Sequence, residues 1–201
     1  MKIILASSNK KKLIEFSSFF NEFNISVHLA SDFVDNFNPI EDGNSFKQNA
    51  KIKAKALYDS LDEKIKDEYC ILADDSGLCV EALDNLPGIY SARYANASSG
   101  DIDAANRQKI KDEFKRLKID YSKAAFICVL CFINKDKILF AKGVCDGVIS
   151  KEESGMNGFG YDSMFYANNF SKSFAELSLL EKNKISHRYL ALSDLIKQLG
   201  F

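Results

Sequence analysis

Short runs of apolar residues alternate along the chain with longer stretches in which apolar residues recur every three or four positions. The runs are typical of buried strands and the stretches of amphipathic helices, because side chains repeat about every 2 residues in a strand and about every 3.6 in a helix. The pattern predicts strands at 2–6, 25–30, 69–73, 78–83, 124–133 and 137–149. It predicts helices at 9–22, 45–61, 101–117, 174–181 and 187–199.

Local signals refine these elements. The sequence NKDK at 134–137 predicts a turn that joins two strands into a hairpin. Ser173 and Glu176 have the spacing of a capping box, while Ser186 is expected to cap the last helix and Gly200 to end it. Helices mixed with strands, together with one antiparallel hairpin, predict an α/β fold with a mixed sheet rather than a purely parallel one.

Composition limits the protein class. The 201 residues are 46% hydrophobic, with 16 Phe and no Trp, which is enough for a sizeable core in one large domain or two closely packed lobes. A net charge of −1 argues against a general binder of nucleic acid or of membranes. No apolar run approaches the roughly 20 residues that span a bilayer, and the start of the chain lacks the pattern of a secretory signal. A cytoplasmic protein is therefore expected.

The five cysteines include a C-x-x-C pair, Cys128 and Cys131, within a predicted strand. This spacing could indicate a redox or zinc site. Residues three apart in a strand point to opposite faces, however, so the two thiols are expected to diverge. Buried free thiols are the favoured interpretation.

The first predicted helix begins with three lysines in the stretch LASSNKKKLIEF. The residues before them, Ser7, Ser8 and Asn9, are of the type that caps a helix. Lysines are disfavoured in a first turn, because the N-terminus of a helix carries partial positive charge. A bound polyphosphate would supply negative charge and accept the free backbone N–H groups, although a solvated lysine cluster is the alternative.

A second candidate is CILADDSGL, where a buried strand is expected to end in Asp74 and Asp75 before a turn at Ser76 and Gly77. Carboxylates in such a place suit Mg²⁺ or a general base that orients water. An ordinary turn stabilised by an aspartate is the alternative.

Two further segments suit a nucleotide. In NGFGYD, Phe159 and Tyr161 could stack on a flat base, although glycine-aromatic loops also occur without a ligand. In EKNKISHR, His187 and Arg188 place cations in the first turn of the last helix, although His187 alone would be interpreted as a surface residue. The four segments together indicate a site for a nucleoside polyphosphate and Mg²⁺.

Five segments carry a resemblance to a known family: LASSNKKKLIEF, EDGNSFKQNAKIKA, ADDSGLCVEAL with PGIYSARYA, GFGYDSMF, and ELSLLEKNKISHRYLAL. They resemble the inosine triphosphate pyrophosphatase family nearly end to end. The resemblance implies Mg²⁺-dependent hydrolysis of deaminated purine nucleoside triphosphates (ITP, dITP and XTP) to monophosphate and pyrophosphate. It also implies one domain over 1–201, with an elongated mixed sheet flanked by helices, two lobes with a central substrate cleft, and a homodimer.

The resemblance implies roles for individual residues. The loop that binds the substrate phosphates would comprise Ser7, Ser8, Asn9, Lys10, Lys11 and Lys12. Glu41 and Asp75 would bind the metal, and Asp75 would also accept a proton, with Ser76 as a substrate contact. The base-binding loop would comprise Phe159, Gly160, Tyr161 and Asp162, and the remaining nucleotide contacts would be Lys182, His187 and Arg188.

Gln48 departs from the family pattern, since Glu is frequent at that position, and a metal-holding role there would be weaker. Two other functions stay open at this point. One is a nucleotide-binding module without turnover, and the other is a pyrophosphatase for pyrimidine nucleotides. The expected partner in each case is a small-molecule nucleotide, with no nucleic acid and no membrane.

Overall fold

The computed structural model describes residues 1–201. Its strands are β1 Lys2–Leu5, β2 Ser26–Leu29, β3 Tyr69–Val80, β4 Tyr121–Ile133, β5 Ile138–Ser150 and β6 Phe165–Ala167. Its helices are α1 Lys10–Phe20, α2 Phe46–Ser60, α3 Glu63–Glu68, α4 Ile102–Leu117, α5 Leu179–Lys182 and α6 His187–Leu199. Short 3₁₀ turns lie at Asn21–Phe23, Ala30–Asp32, Glu81–Leu83, Gly88–Arg93 and Phe174–Glu176.

All six strands form one sheet in the order β2-β1-β3-β4-β5-β6. Strand β1 pairs in parallel with β2 and with β3, so that Ile3 lies opposite Val27 on one side and Cys70 on the other. Strand β6 is antiparallel to β5, with Val148 opposite Tyr166. The predicted mixed α/β sheet is therefore confirmed.

The chain divides into two compact units. The first unit comprises 1–75, 128–143 and 191–201, and the second comprises 76–127 and 144–190. One core cluster of the first unit contains small and aliphatic residues, and four phenylalanines, Phe16, Phe19, Phe20 and Phe132, are also buried in this unit. The members of the cluster are Ile4, Ala6, Ala30, Ala50, Ala54, Leu57, Leu61, Ile71, Ala73, Cys131 and Ile133. The second core is richer in aromatic rings and includes Tyr94, Phe114, Phe126, Tyr161, Phe165 and Phe174.

The hairpin prediction is confirmed. Strands β4 and β5 are neighbours in the sheet, and the Asn134 N–H donates to the Lys137 carbonyl at 3.1 Å. The Asn134 side-chain oxygen also accepts from the Lys137 N–H at 2.9 Å, which explains why a polar turn suits this corner.

The turn expected at Ser76 and Gly77 is wrong. Strand β3 continues through both residues to Val80, and its burial persists on both sides of them. The polar segment stays extended because its carboxylates find cationic and amide partners inside the protein, so no exit to solvent is required.

The helix expected at 174–181 is also wrong as a single element. Two successive capping boxes divide it, Ser173 with Glu176 and Ser178 with Glu181, and Ser178 has an extended backbone between them. The predicted capping box at Ser173 is confirmed by this geometry. Two short elements, α3 and β6, were not predicted because they are too short to show a period.

The last helix agrees with its predicted signals. The Ser186 hydroxyl accepts from the Tyr189 N–H at 3.2 Å, and Gly200 adopts a left-handed φ of 86°. All five cysteines are free thiols, and burial raises the pKa of the Cys131 thiol to about 12, so this thiol stays protonated. No helix combines the length and apolar character that a membrane span requires.

Gly155 tests the packing of the loop before the predicted base-binding segment. It has a φ of 82°, and a Cβ there would lie 2.3 Å from the carbonyl carbon of Ala175. Gly155→Ala is expected to destabilise folding by about 2–4 kcal/mol, because left-handed strain adds to a backbone clash. Urea unfolding measures this change.

Gly100→Ala is the matched control. Gly100 has a similar φ of 79°, but nothing lies within 4 Å of a Cβ built there. Its substitution should cost only the strain, about 1 kcal/mol. Equal losses for the two variants would show that the close approach to Ala175 does not constrain the fold.

Candidate functional site

The start of α1 is capped as expected. The Asn9 side-chain oxygen accepts from the N–H groups of Lys11 at 2.9 Å and Lys12 at 3.2 Å. The Ser7 hydroxyl in turn accepts from the Asn9 N–H at 3.1 Å. These bonds hold the 7–12 loop in the conformation that begins the helix.

Lys12 has a counter-charge within the protein. Its Nζ lies 2.8 Å from each carboxylate oxygen of Asp74, which is 1% exposed. A bound polyphosphate or a solvated cluster was expected to account for the lysines, and for Lys12 both explanations are incomplete, because Asp74 is its partner. Lys10, by contrast, is exposed in the first turn.

Asp75 is held by two residues of α2 that sequence reasoning did not select. Asn49 Nδ2 donates to Asp75 Oδ2 at 3.2 Å, and Lys53 Nζ lies 3.5 Å from Asp75 Oδ1. The same ammonium lies 2.9 Å from Glu41 Oε2. Asn49 and Lys53 are four residues apart on the buried face of α2, and polar residues on an otherwise apolar stripe are the signal that could have found them.

Burial dominates the electrostatics of Asp75. It raises the pKa of this carboxyl, against the attraction of Lys53, and the charges of Glu41 and Asp74 raise it further, to about 6. Burial lowers the pKa of Lys53, but the three carboxylates outweigh burial and leave the pKa raised. The cluster therefore contains more negative charge than its lysines neutralise.

The donor set fits a hard divalent cation. Glu41 and Asp75 already converge on one cation, the Lys53 ammonium, and they present the oxygen ligands that Mg²⁺ prefers. No cluster of three or more His, Cys, Asp or Glu side chains has metal-binding geometry as the structure stands. A cation bound beside Asp75 would lower the raised pKa of this carboxyl and stabilise its ionised form.

Gln48 has a structural role at the start of α2. Its side-chain oxygen accepts from the Asn44 N–H at 2.6 Å, and its own N–H donates to the Ser45 hydroxyl at 3.2 Å. Glutamine performs this capping as glutamate would, so the departure from the family pattern preserves the helix start.

In the second unit, Asp162 organises the loop that was predicted to bind the base. Its Oδ2 accepts from the Phe159 N–H at 2.8 Å and from Lys182 Nζ at 2.7 Å. Gly158 adopts a φ of 77°, and a Cβ there would lie 2.1 Å from the same oxygen. Asp162 thus shapes the loop from within, and glycine is needed beside it.

Tyr161 faces the core. It is 4% exposed, and its hydroxyl donates to the Ser91 carbonyl at 2.8 Å. Burial raises the pKa of this phenol above its ordinary value. The expectation that the Tyr161 ring stacks on a base does not agree with this placement, and Phe159 is the half-buried aromatic ring of the loop.

Phe159 lies among cations. Lys182 Nζ is 5.3 Å from its ring centroid, and Arg188 Cζ is 5.0 Å from it. His187 stacks on Phe126 with centroids 4.8 Å apart and an interplanar angle of 13°. His187 and Arg188, 2% and 6% exposed, are therefore buried rather than surface residues.

Two nitrogens of these side chains, His187 Nδ1 and Arg188 Nε, are buried and make no hydrogen bond within the chain, although both side chains make the ring contacts described above. By unit, the predicted residues divide into two sets. The first unit contains Ser7 to Lys12, Glu41 and Asp75, and the second contains Ser76, which directly follows Asp75 in β3, with Phe159 to Asp162, Lys182, His187 and Arg188.

Sequence reasoning also missed two residues that hold Gly160. Asp103 Oδ2 accepts from the Gly160 N–H at 2.8 Å, and Arg107 Nη1 donates to the Gly160 carbonyl at 3.0 Å. Both belong to α4, which showed only an ordinary apolar stripe.

Similar proteins align with this chain over almost its full length. A protein of Campylobacter jejuni named dITP/XTP pyrophosphatase is 41% identical over 192 residues, which are 96% of this chain and 94% of that protein. Two solved structures, a Ham1 protein of Staphylococcus aureus and a HAM1 protein of Coxiella burnetii, superpose with TM-scores of 0.82 and 0.83. Each is 35% identical and covers 99% of this chain and 98% of its own.

The model of the Ham1 family matches residues 3–198. This span contains the capped lysine loop, the carboxylate cluster around Asp75 and the loop organised by Asp162. The family resemblance inferred from sequence is confirmed, and the chain belongs to the Ham1 family.

Proposed function

We propose that the protein hydrolyses the nonstandard purine nucleoside triphosphates ITP, dITP and XTP to the nucleoside monophosphate and pyrophosphate, with Mg²⁺ as its metal. The names of the relatives support the enzyme class, a nucleoside triphosphate pyrophosphatase, which was expected from the sequence. The observation that carries the proposal is Asp75, a buried carboxylate with a pKa of about 6 beside Glu41 and Lys53. A homodimer stays a prediction.

The first unit would act on the phosphates. The capped 7–12 loop offers backbone N–H groups at a helix start and lysine side chains, both suited to phosphate oxygens. Glu41 and Asp75 would hold Mg²⁺, which when bound neutralises phosphate charge. In the reaction, the oxygen of water forms a bond to one phosphorus of the anhydride between the α- and β-phosphates. The bond from that phosphorus to the bridging oxygen breaks, and the bridging oxygen leaves with the other phosphate group.

Asp75 would take the proton that this water loses. In the metal-free protein the pKa of this carboxyl is about 6, so the carboxylate is ionised at neutral pH and available to Mg²⁺ or to a proton. Asn49 and Lys53 hold its two oxygens, so the carboxylate has a defined orientation before substrate arrives.

The second unit would read the base. The Phe159 ring offers a stacking surface, and Arg188 beside it carries hydrogen-bond donors. Hypoxanthine and xanthine present an acceptor oxygen at C6, whereas adenine presents an amino donor. Donors in a buried place favour the keto bases, because a donor facing a donor leaves both unsatisfied.

Purified protein incubated with ITP and Mg²⁺ tests the proposal. Release of pyrophosphate with no orthophosphate is the expected result, and a panel with dITP, XTP, ATP, GTP, CTP and UTP shows the base preference. Nucleotide binding with no pyrophosphate release would identify a binding module instead, and faster turnover of CTP or UTP would identify a pyrimidine enzyme.

Asp75→Asn is expected to lower kcat on ITP by about 10²–10⁴-fold, because an amide is a poor proton acceptor and a poor metal ligand. The same variant should be more stable than the wild type in metal-free buffer at pH 7.5, on the order of 1–3 kcal/mol by thermal unfolding. The ionised carboxylate is disfavoured in the fold, so its cost develops as the pH rises from 3.8 to about 6.

The stability gain should accordingly shrink as the pH falls below about 6 and vanish below about 3.8, where Asp75 is protonated in both the folded and the unfolded wild type. Turnover near that of the wild type would remove Asp75 from the mechanism. A variant that is less stable than the wild type at pH 7.5 would show that the contacts of Asp75 with Asn49 and Lys53 outweigh its burial.

Arg188→Ala is expected to reduce the ratio of kcat/KM for ITP over that for ATP by about 10-fold or more, since each lost discriminating hydrogen bond is worth about that much. Lys12→Ala is the comparison, because a change among the phosphate contacts should weaken ITP and ATP about equally. An ITP/ATP ratio that survives in Arg188→Ala would assign base reading to other residues.

A further inference from the structure

Two side chains from the first two turns of α4 form hydrogen bonds with the backbone of the base-binding loop. Asp103 accepts the Gly160 N–H at 2.8 Å, and Arg107 donates to the Gly160 carbonyl at 3.0 Å. These two groups belong to the two different peptide planes that flank Gly160. Both planes are therefore fixed, and the rotation of the loop about Gly160 is arrested.

Further hydrogen bonds and ion pairs position the side chains of Asp103 and Arg107. Asp101 caps α4 by accepting the Ala104 N–H at 2.9 Å, which fixes where the helix begins and hence where Asp103 lies. Arg107 Nε donates to Glu153 Oε2 at 2.8 Å. Glu153 also binds Lys111 at 2.6 Å and the Ser163 hydroxyl at 2.9 Å, so Arg107 is anchored on the side away from Gly160.

The peptide group that Asp103 binds is the one that joins Phe159 to Gly160. The N–H of Phe159 is bonded to Asp162, and the peptide that follows this residue is bonded to Asp103. With both sides of the residue fixed, the ring has a defined position beside Lys182 and Arg188. Bonds from a charged group to a backbone N–H or carbonyl are among the stronger hydrogen bonds in proteins, which suits a clamp on a glycine-rich loop.

We infer that Asp103 and Arg107 are positioning residues that preorganise Phe159 for the purine. The inference rests on the proposed function, in which Phe159 stacks on the base. A loop without the clamp would have to be ordered when the nucleotide binds, and this entropy cost lowers affinity. The phosphate chemistry lies with residues of the first unit, so the loss is confined to base binding and leaves the chemical step unchanged.

Asp103→Ala removes the acceptor for the Gly160 N–H, while Asp103→Asn keeps an acceptor oxygen at the same place. Asp103→Ala is expected to weaken the binding of inosine monophosphate, measured by calorimetry, by about 10-fold, the equivalent of one hydrogen bond and one immobilised loop. The KM for ITP should rise by a similar factor while kcat stays within about 3-fold. Asp103→Asn should restore most of the affinity.

Two control variants separate positioning from general stability. Lys111→Ala removes a partner of Glu153 that does not touch Gly160, and Arg116→Ala removes an exposed ion pair with Glu113 near the end of α4. Both should retain the affinity of the wild type for inosine monophosphate. Hydrogen exchange in the 157–162 peptide should accelerate in Asp103→Ala and Arg107→Ala but not in Lys111→Ala.

Unchanged affinity for inosine monophosphate in Asp103→Ala, an equal loss in Lys111→Ala, or the absence of any binding by the wild type overturns the inference. A failure of the proposed function gives a different result. In that case the wild type releases no pyrophosphate from ITP, whereas the binding of inosine monophosphate still shows whether the clamp positions the loop.

Discussion

The pairing of two adjacent buried carboxylates with lysines from two helices is the constraint on which the first unit depends. Asp74 and Asp75 lie in β3 where the strand is buried, and ionised carboxylates in such a place destabilise a fold unless cations or donors reach them. Lys12 at the start of α1 and Lys53 on α2 supply those cations. The start of one helix and the buried face of another are thereby tied to a single point of the sheet.

The second unit also contains a buried carboxylate paired with a lysine, but there the cationic side chains outnumber the carboxylate. Asp162 is the buried carboxylate there, and Lys182 is its ion-pair partner, but Arg188 lies beside them around the Phe159 ring. The group in the first unit therefore has carboxylates in excess and suits a metal ion. In the second unit the cations Lys182 and Arg188 outnumber the carboxylate of Asp162, which under the proposed function suits a base with keto oxygens.

Such charge clusters are costly to fold. The raised pKa of Asp75 shows that the folded protein disfavours the ionised form that catalysis would need. An apolar residue at this position would fold without that cost, so the cluster is better explained by function than by stability. The capping by Asn9, the amide bond from Asn49 and the internal bonds of Asp162 all keep costly groups in one arrangement before a ligand binds.

The sequence alone determined the strands and helices with a clear period, the hairpin at 134–137, the helix caps and, through ordered motifs, the family. Those features depend on neighbours in the chain. Only the tertiary structure decided that β3 continues past Asp75, that Tyr161 faces the core, and that Lys12 binds Asp74. It also decided that Lys53 binds Asp75 and that Asp103 binds the backbone of Gly160. These features depend on which distant side chain forms a hydrogen bond or ion pair with a buried polar group. Because the partners are far apart in the chain, such contacts produce no periodic pattern in the sequence.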